Sequence, residues 1–195
     1  MNRIKVFGVL IFLLFFSAEA KATNYFLEKN WFNLGAGMTF GGKFFAVGGA
    51  NVAISDPWSL GANVEYRNIK RGNYLAVQPS FAYSFASKLE NPSAVNPFVQ
   101  GGLRLRYSSH KGEDDVKYTS TDFKLLLGAG AELFLGPKVL FKPYAQIFIW
   151  DHSYAVIGFD GNYLLSDAVA VGIGFNFSDL MLNSGKIQGM ATVAF

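Results

Sequence analysis

The feature that most constrains this chain is the alternation of apolar residues with polar or small residues along most of its length. The segment 60–67 reads LGANVEYR, and the segment 169–177 reads VAVGIGFNF. Because successive side chains of a strand point to opposite faces, this period of two predicts strands with one apolar face. No segment of comparable length places its apolar residues at helical spacing. We therefore predict an all-β fold.

Turn-forming residues divide the alternating pattern into segments. Gly-Gly-Lys at 41–43, Arg-Gly-Asn at 71–73 and Gly-Pro-Lys at 136–138 are examples of such breaks. The segment 108–121 is rich in Ser and charged residues and is predicted to be a solvated loop. We predict ten strands, with eight as the alternative. The ten lie at about 31–40, 44–54, 59–69, 74–85, 97–107, 122–135, 140–150, 155–165, 168–177 and 186–195.

Ten antiparallel strands in one chain predict a closed barrel, because closure removes the unpaired strand edges. Only 16% of the residues are charged, and 21 are glycine. With its apolar face turned inward, such a barrel would show water a glycine-rich surface with few lysines, which is unusual for a soluble protein. Strands of about ten to twelve residues also match the 9–11 needed to cross a bilayer at a tilt. We therefore predict a closed antiparallel up-and-down transmembrane β-barrel in residues 31–195.

Aromatic residues gather at the predicted strand ends, as expected where a barrel meets the two membrane interfaces. The predicted girdle at one rim comprises Phe40, Phe44, Tyr66, Tyr74, Tyr107, Phe123 and Trp150. The girdle at the other rim comprises Trp31, Trp58, Phe85, Phe134 and Phe195.

The first twenty residues have the layout of a secretory signal peptide. Arg3 and Lys5 precede an apolar run at 6–16, and Ala18 and Ala20 provide small residues before a cleavage site. The run is shorter than the roughly 20 residues of a membrane-spanning helix. We predict cleavage after Ala20, with a short lead-in at 21–30.

The composition excludes several other classes of protein. The chain has no Cys, which excludes a disulfide scaffold, and its net charge of +3 with scattered Lys and Arg speaks against a nucleic-acid partner. With two His and no Cys, a transition-metal site is not expected. No cofactor is predicted.

A predicted signal peptide followed by alternating strands that end in Phe195 resembles the small outer-membrane β-barrel proteins of Gram-negative bacteria. In that family the last strand carries an assembly signal, which Gln188, Val193 and Phe195 match. The glycine usual two places after the polar residue is Met190 here. The resemblance implies a periplasmic lead-in, a monomer in the outer membrane that contacts its lipids and lipopolysaccharide, and the barrel-assembly machinery as a partner. It does not imply an activity, because this fold hosts porins, adhesins, enzymes and structural barrels.

Seven charged residues fall on the face opposite the apolar one and are predicted to form a charge network in the lumen. A barrel of eight strands has an interior just wide enough for side chains to fill it, and ten strands leave little more room. Charges that are buried in such an interior must be paired. We therefore predict an ion-paired plug, with a narrow channel as an alternative. The seven residues are Glu65, Arg67, Arg104, Arg106, Lys124, Glu132 and Asp160.

One pair of residues bears on catalysis. Some outer-membrane barrels modify lipid A with a His-x-Ser-Asn motif, whereas here His152 and Ser153 are adjacent and Tyr154 follows. Adjacent side chains of a strand point to opposite faces, so Ser153 does not have its base within reach. We predict a non-catalytic barrel with an envelope-structural or surface-interaction role, and no catalytic residues. The alternative is a lipid A-modifying enzyme.

Overall fold

The structure, a computed structural model, describes residues 29–55, 57–69, 72–85, 95–112, 115–150, 152–178 and 185–195. The predicted signal peptide at 1–20 and most of the predicted lead-in at 21–30 lie outside the described residues. Within the described part of the chain, no helix is long and apolar enough to cross a membrane.

The described residues form one closed barrel of ten antiparallel strands, in which each strand pairs with the next and β1 pairs with β10. This confirms the predicted all-β up-and-down transmembrane barrel, with ten strands rather than eight. The strands are β1 Trp31–Thr39, β2 Phe44–Ser55, β3 Trp58–Ile69, β4 Gly72–Ser84, β5 Val95–Lys111, β6 Lys117–Phe134, β7 Val139–Ile149, β8 Tyr154–Leu164, β9 Val169–Ser178 and β10 Lys186–Ala194. We call the end with Trp31 and Ala194 the terminal end, and the opposite end the distal end.

The cross-strand register shows how far the strands tilt. From Gly35, pairing through β2 to β5 leads to Asp122 on β6. Pairing the other way, through β10 to β7, leads from the same Gly35 to Phe134 on β6. The two positions differ by twelve residues on one strand. A closed barrel with such an offset has strands tilted typically by 35–45°.

The apolar face of the strands points outward. On β9, Val171 and Ile173 are exposed, whereas Gly172 and Gly174 point into the lumen. Most residues of the predicted aromatic girdles are exposed, but three of them point inward. Trp31 and Tyr74 line the lumen, and Phe134 is buried. The girdles were predicted from position along the strand, and the alternation of faces decides which aromatic residues reach the outer surface.

The predicted loop at 108–121 is wrong over most of its length. Residues 108–111 of β5 pair with residues 117–120 of β6, so that only a short turn remains between them. These strand ends are polar on both faces, and for this reason hydrophobic alternation did not reveal them. The Thr and Tyr residues at 118–121 do have high strand propensity. Because β7 ends at Ile149, opposite Leu125, residues 117–124 have no described strand beside them on that side.

Candidate functional site

The lumen contains a cavity of about 680 Å³ that residues from both ends of the barrel line. Thr39 and Lys43 line it at the distal end, and Trp31 and Asn51 line it at the terminal end. The interior therefore holds open space beside the side chains that line it.

Lumen-facing glycines explain why space remains in such a narrow barrel. A Cβ atom at Gly128 would lie 2.7 Å from Gln100 Nε2, and one at Gly174 would lie 2.5 Å from Asp160 Oδ1. These polar side chains therefore lie across the glycines, along the barrel wall, in space that a larger residue would occupy. The centre of the barrel stays open as a result.

A charge cluster, which we call the distal cluster, lies near the distal end and comprises Glu65, Arg67, Arg104 and Lys186. The Glu65 carboxylate is 2.7 Å from Arg67 Nη2 and 2.8 Å from Lys186 Nζ. Arg104 Nη2 is 3.5 Å from the same carboxylate and donates a hydrogen bond of 2.9 Å to the Tyr74 hydroxyl. One carboxylate thus faces three cations, and the cluster has a net positive charge.

A second acidic group at the distal end is Asp122. Its carboxylate lies 2.8 Å from Arg106 Nη2 and 3.6 Å from Lys124 Nζ. Lys124 Nζ also donates hydrogen bonds to the backbone oxygens of Trp150 and His152, at 2.9 and 3.1 Å. Lys124 thereby ties β6 to the turn that follows β7.

Glu132 and Asp160 lie towards the terminal end of the barrel, beside Lys142. Lys142 pairs with Asp160 in the β7–β8 register, and the register of the flanking β6–β7 pairs places Glu132 on its other side. Glu132 is fully buried, and its Oε2 accepts a hydrogen bond of 3.2 Å from Asn96 Nδ2. Eight residues separate Lys124 from Glu132 along β6, a distance of about 26 Å. The seven predicted residues therefore fall into a group of five at the distal end and a group of two towards the terminal end.

Aromatic rings support the cations of the distal end. The Arg67 guanidinium lies 4.5 Å from the centre of the Tyr74 ring, and the Arg104 guanidinium lies 5.2 Å from that of Phe148. Phe148 in turn stacks on Tyr154, with 4.8 Å between ring centres. Cation–π contacts of this kind hold the charged groups against the wall while leaving them available to a solute.

Besides Lys43 in the turn between β1 and β2, three charged strand residues of the lumen were missed from the sequence: Asp122, Lys142 and Lys186. Each lies two residues from an inward-facing neighbour on its own strand: Asp122 from Lys124, Lys142 from Tyr144, and Lys186 from Gln188. The alternation rule, extended to charged residues near strand ends, would have identified all three.

The other predicted sites lie elsewhere. His152 and Ser153 are exposed on the turn after β7 and do not line the cavity. In the predicted assembly signal, Gln188 lines the cavity, while Phe195 is exposed and its backbone N–H donates to Asn30 O at 2.9 Å. Val193 alternates with the buried Thr192 and Ala194 and therefore faces outward. Among the described residues, no group of three or more His, Asp or Glu side chains could hold a metal ion.

A closed antiparallel barrel with an apolar exterior and a polar lumen is the architecture of the outer-membrane β-barrel proteins. The chain is similar to the KdgM porin in complex with disordered oligogalacturonate (9% identity, 85% of this chain, 99% of that chain, TM-score 0.51). It is also similar to the N-terminal β-barrel domain of Pseudomonas aeruginosa OprF (12% identity, 86% of this chain, 98% of that chain, TM-score 0.46). A further similar structure is that of Neisserial surface protein A (14% identity, 85% of this chain, 97% of that chain, TM-score 0.43). At these identities the likeness establishes the fold alone. No profile of a known protein family matches, and no curated protein matches.

Proposed function

We propose that the protein is a non-catalytic integral outer-membrane β-barrel whose lumen is a narrow passage for small solutes and prefers anions. One observation carries the proposal: the cavity is lined from both ends of the barrel, and cations dominate its lining. The cationic lining residues are Lys43, Arg67, Arg104, Arg106, Lys142 and Lys186, against the acidic residues Glu65 and Asp160. Charged side chains in a pore set the sign of the ion it conducts.

The location proposed for the protein follows from its outer surface. Exposed apolar side chains cover the barrel wall, and an aqueous environment would leave them unfavourably hydrated. We therefore propose that the chain is exported through the signal peptide at 1–20, assembled by the barrel-assembly machinery, and held as a monomer among outer-membrane lipids and lipopolysaccharide. No nucleic acid is proposed as a partner.

Physical considerations favour a passage over a plug. A plug of paired charges requires roughly equal numbers of cations and anions packed together, because an unpaired buried charge is strongly destabilising. Here the cations that line the cavity outnumber the anions, and the cavity keeps a volume of about 680 Å³ around them. Water in that cavity solvates the excess cations, and the same water permits ions to move. A low-dielectric wall focuses the resulting positive potential along the lumen.

The test is the conductance of the purified protein in planar bilayers. We expect discrete single-channel steps, and a reversal potential in a KCl gradient that shows a preference for chloride. Lys186→Gln removes one lumen cation and should lower the chloride-to-potassium permeability ratio at least about twofold, most clearly at low salt where screening is weak. The matched control is Lys111→Gln, because Lys111 is exposed at the tip of the β5–β6 hairpin. Its permeability ratio should equal that of the wild type.

A surface-interaction role is the second candidate, and the edge of β6 at 117–124 favours it. Among the described residues no strand pairs with this edge on its β7 side. The hairpin of β5 and β6 extends beyond the last β6–β7 pair, and both faces of its strand ends present polar side chains to a partner. A folded wild-type protein that gives no conductance steps would refute the passage and favour this role instead.

A further inference from the structure

The position of the glutamines suggests which solutes the lumen binds. The chain has four glutamines, Gln78, Gln100, Gln146 and Gln188, and all four line the cavity. A carboxamide both donates and accepts hydrogen bonds. The hydroxyl groups of a carbohydrate do the same, so that a wall of carboxamides matches a polyhydroxylated solute. Simple ions require no such pattern of donors and acceptors.

The carboxamides are arranged in rows across neighbouring strands. Gln100 on β5 pairs with Gly128 on β6, which pairs with Gln146 on β7. On the other side of the lumen, Asn33 on β1 and Asn63 on β3 flank Gly49 on β2 in the same way. Strands lie about 4.8 Å apart, so the backbones of the two carboxamide residues in each row lie about 10 Å apart. Their side chains reach over the glycine between them, since a Cβ at Gly128 would lie 2.7 Å from Gln100 Nε2 and one at Gly49 would lie 2.8 Å from Asn33 Oδ1 and close to Asn63 Oδ1. Each row therefore presents carboxamide groups, rather than bare backbone, to a solute.

The distal cluster supplies a site for a negative group beside these rows. It has three cations against the single carboxylate of Glu65. In the described part of the molecule, Arg104 Nε is a buried donor without a hydrogen-bond partner. A guanidinium donor without a partner, beside an excess of positive charge, suits an anionic group such as a carboxylate.

We infer that the lumen selects small sugar acids, with the solute carboxylate at the distal cluster and its hydroxyl groups on the carboxamide rows. The inference rests on the proposed function for its biological meaning, but the binding it claims can be measured without any transport. The cavity volume of about 680 Å³ lies within the range of ligand pockets, roughly 300–1,000 Å³.

Calorimetric titration of the full folded protein in detergent micelles tests the inference with three probes. Glucuronate carries hydroxyls and a carboxylate, glucose lacks the carboxylate, and cyclohexanecarboxylate lacks the hydroxyls. We expect glucuronate to bind at least about tenfold more tightly than either of the others, because each of them leaves one set of lumen groups unmatched. Gln146→Leu should weaken glucuronate binding about threefold to tenfold and leave cyclohexanecarboxylate binding unchanged.

The matched control is Asn68→Leu, which removes a carboxamide that is exposed outside the cavity lining. It should bind glucuronate as the wild type does. Gln100→Leu provides a second lumen variant in case Gln146→Leu does not fold. Equal affinity for glucuronate and cyclohexanecarboxylate, or no binding of glucuronate, overturns the inference while leaving an anion passage intact. Selective binding without conductance would instead refute the passage and support the solute class.

Discussion

The two sides of the lumen are built differently, although the same alternation of residues produces both. The inward face of β5 to β8, which we call the crowded wall, carries large side chains. Phe148 and Leu126 are fully buried there beside Val156, and Phe98 is packed against Tyr144. The inward face of β1 to β3 and of β9 and β10, which we call the open wall, includes Gly35, Gly37, Gly49, Gly172 and Gly174. Large buried side chains are thus concentrated on the crowded wall, although Phe45 is also buried on the open wall and residues of both walls line the cavity.

This difference separates stability from solute binding within one molecule. Large buried side chains on the crowded wall contribute packing and apolar burial inside the barrel. Glycines on the open wall contribute little packing, and they leave room for the carboxamides and for water. Substitutions of the large buried side chains on the crowded wall should therefore act on stability. Substitutions on the open wall, and of the cavity-lining Gln100 and Gln146 on the crowded wall, should act mainly on the cavity.

The largest effect is expected from Phe148→Ala on the crowded wall. The substitution removes the stack on Tyr154 and the contact with Arg104, and it leaves a hole among buried side chains. The free energy of unfolding in lipid vesicles should fall by about 3–5 kcal/mol. Val47→Ala, on the half-buried inward face of β2, is the control and should cost no more than about 1 kcal/mol. Similar losses for both variants would contradict the distinction between the walls.

A somewhat smaller effect is expected from Ile173→Arg, which tests the orientation of the open wall. If Gly172 and Gly174 face the lumen, Ile173 faces hydrocarbon, and an arginine near the midplane should cost about 2–4 kcal/mol. Ile54→Arg places the same charge near the terminal rim, where the cost should be about 0–1 kcal/mol. Denaturant titration of both variants in vesicles measures the difference. An Ile173→Arg variant as stable as the wild type would mean that Ile173 faces the lumen and that Gly172 and Gly174 face the lipid.

Sequence reasoning reached the fold more readily than the site. The strand number and order follow from alternation and turn residues, because lipid and lumen impose a period of two on every strand. Which face points outward follows instead from the glycine-rich, charge-poor composition of the other face. Segments such as 108–120, where both faces of the strand are polar, carry no such signal. The cavity could not be predicted, because it depends on which side chains meet across strands. Gln100 lies across Gly128 only because the register of β5 and β6 sets the two residues opposite each other.

The smallest expected effect, and the most direct comparison of the walls, comes from adding one methyl group to a glycine on each side. At Gly130 on the crowded wall, a Cβ would lie 2.5 Å from the backbone oxygen of Pro143 and 2.6 Å from Phe98 Cζ. Neither group can move freely, since one is backbone and the other is a buried ring. Gly130→Ala should therefore lower the free energy of unfolding by about 1–3 kcal/mol.

At Gly174 on the open wall, the same methyl group meets side-chain atoms rather than backbone: Asp160 Oδ1 at 2.5 Å, Gln188 Nε2 at 3.0 Å and Gln188 Cγ at 3.1 Å. Both can swing into the cavity, so Gly174→Ala should cost less than about 1 kcal/mol and should reduce the single-channel conductance instead. Gly189→Ala is the control for both, because a Cβ there meets nothing within 4 Å. If Gly174→Ala destabilises the barrel as much as Gly130→Ala does, the open wall is as tightly filled as the crowded one. The distinction between the two walls would then be wrong.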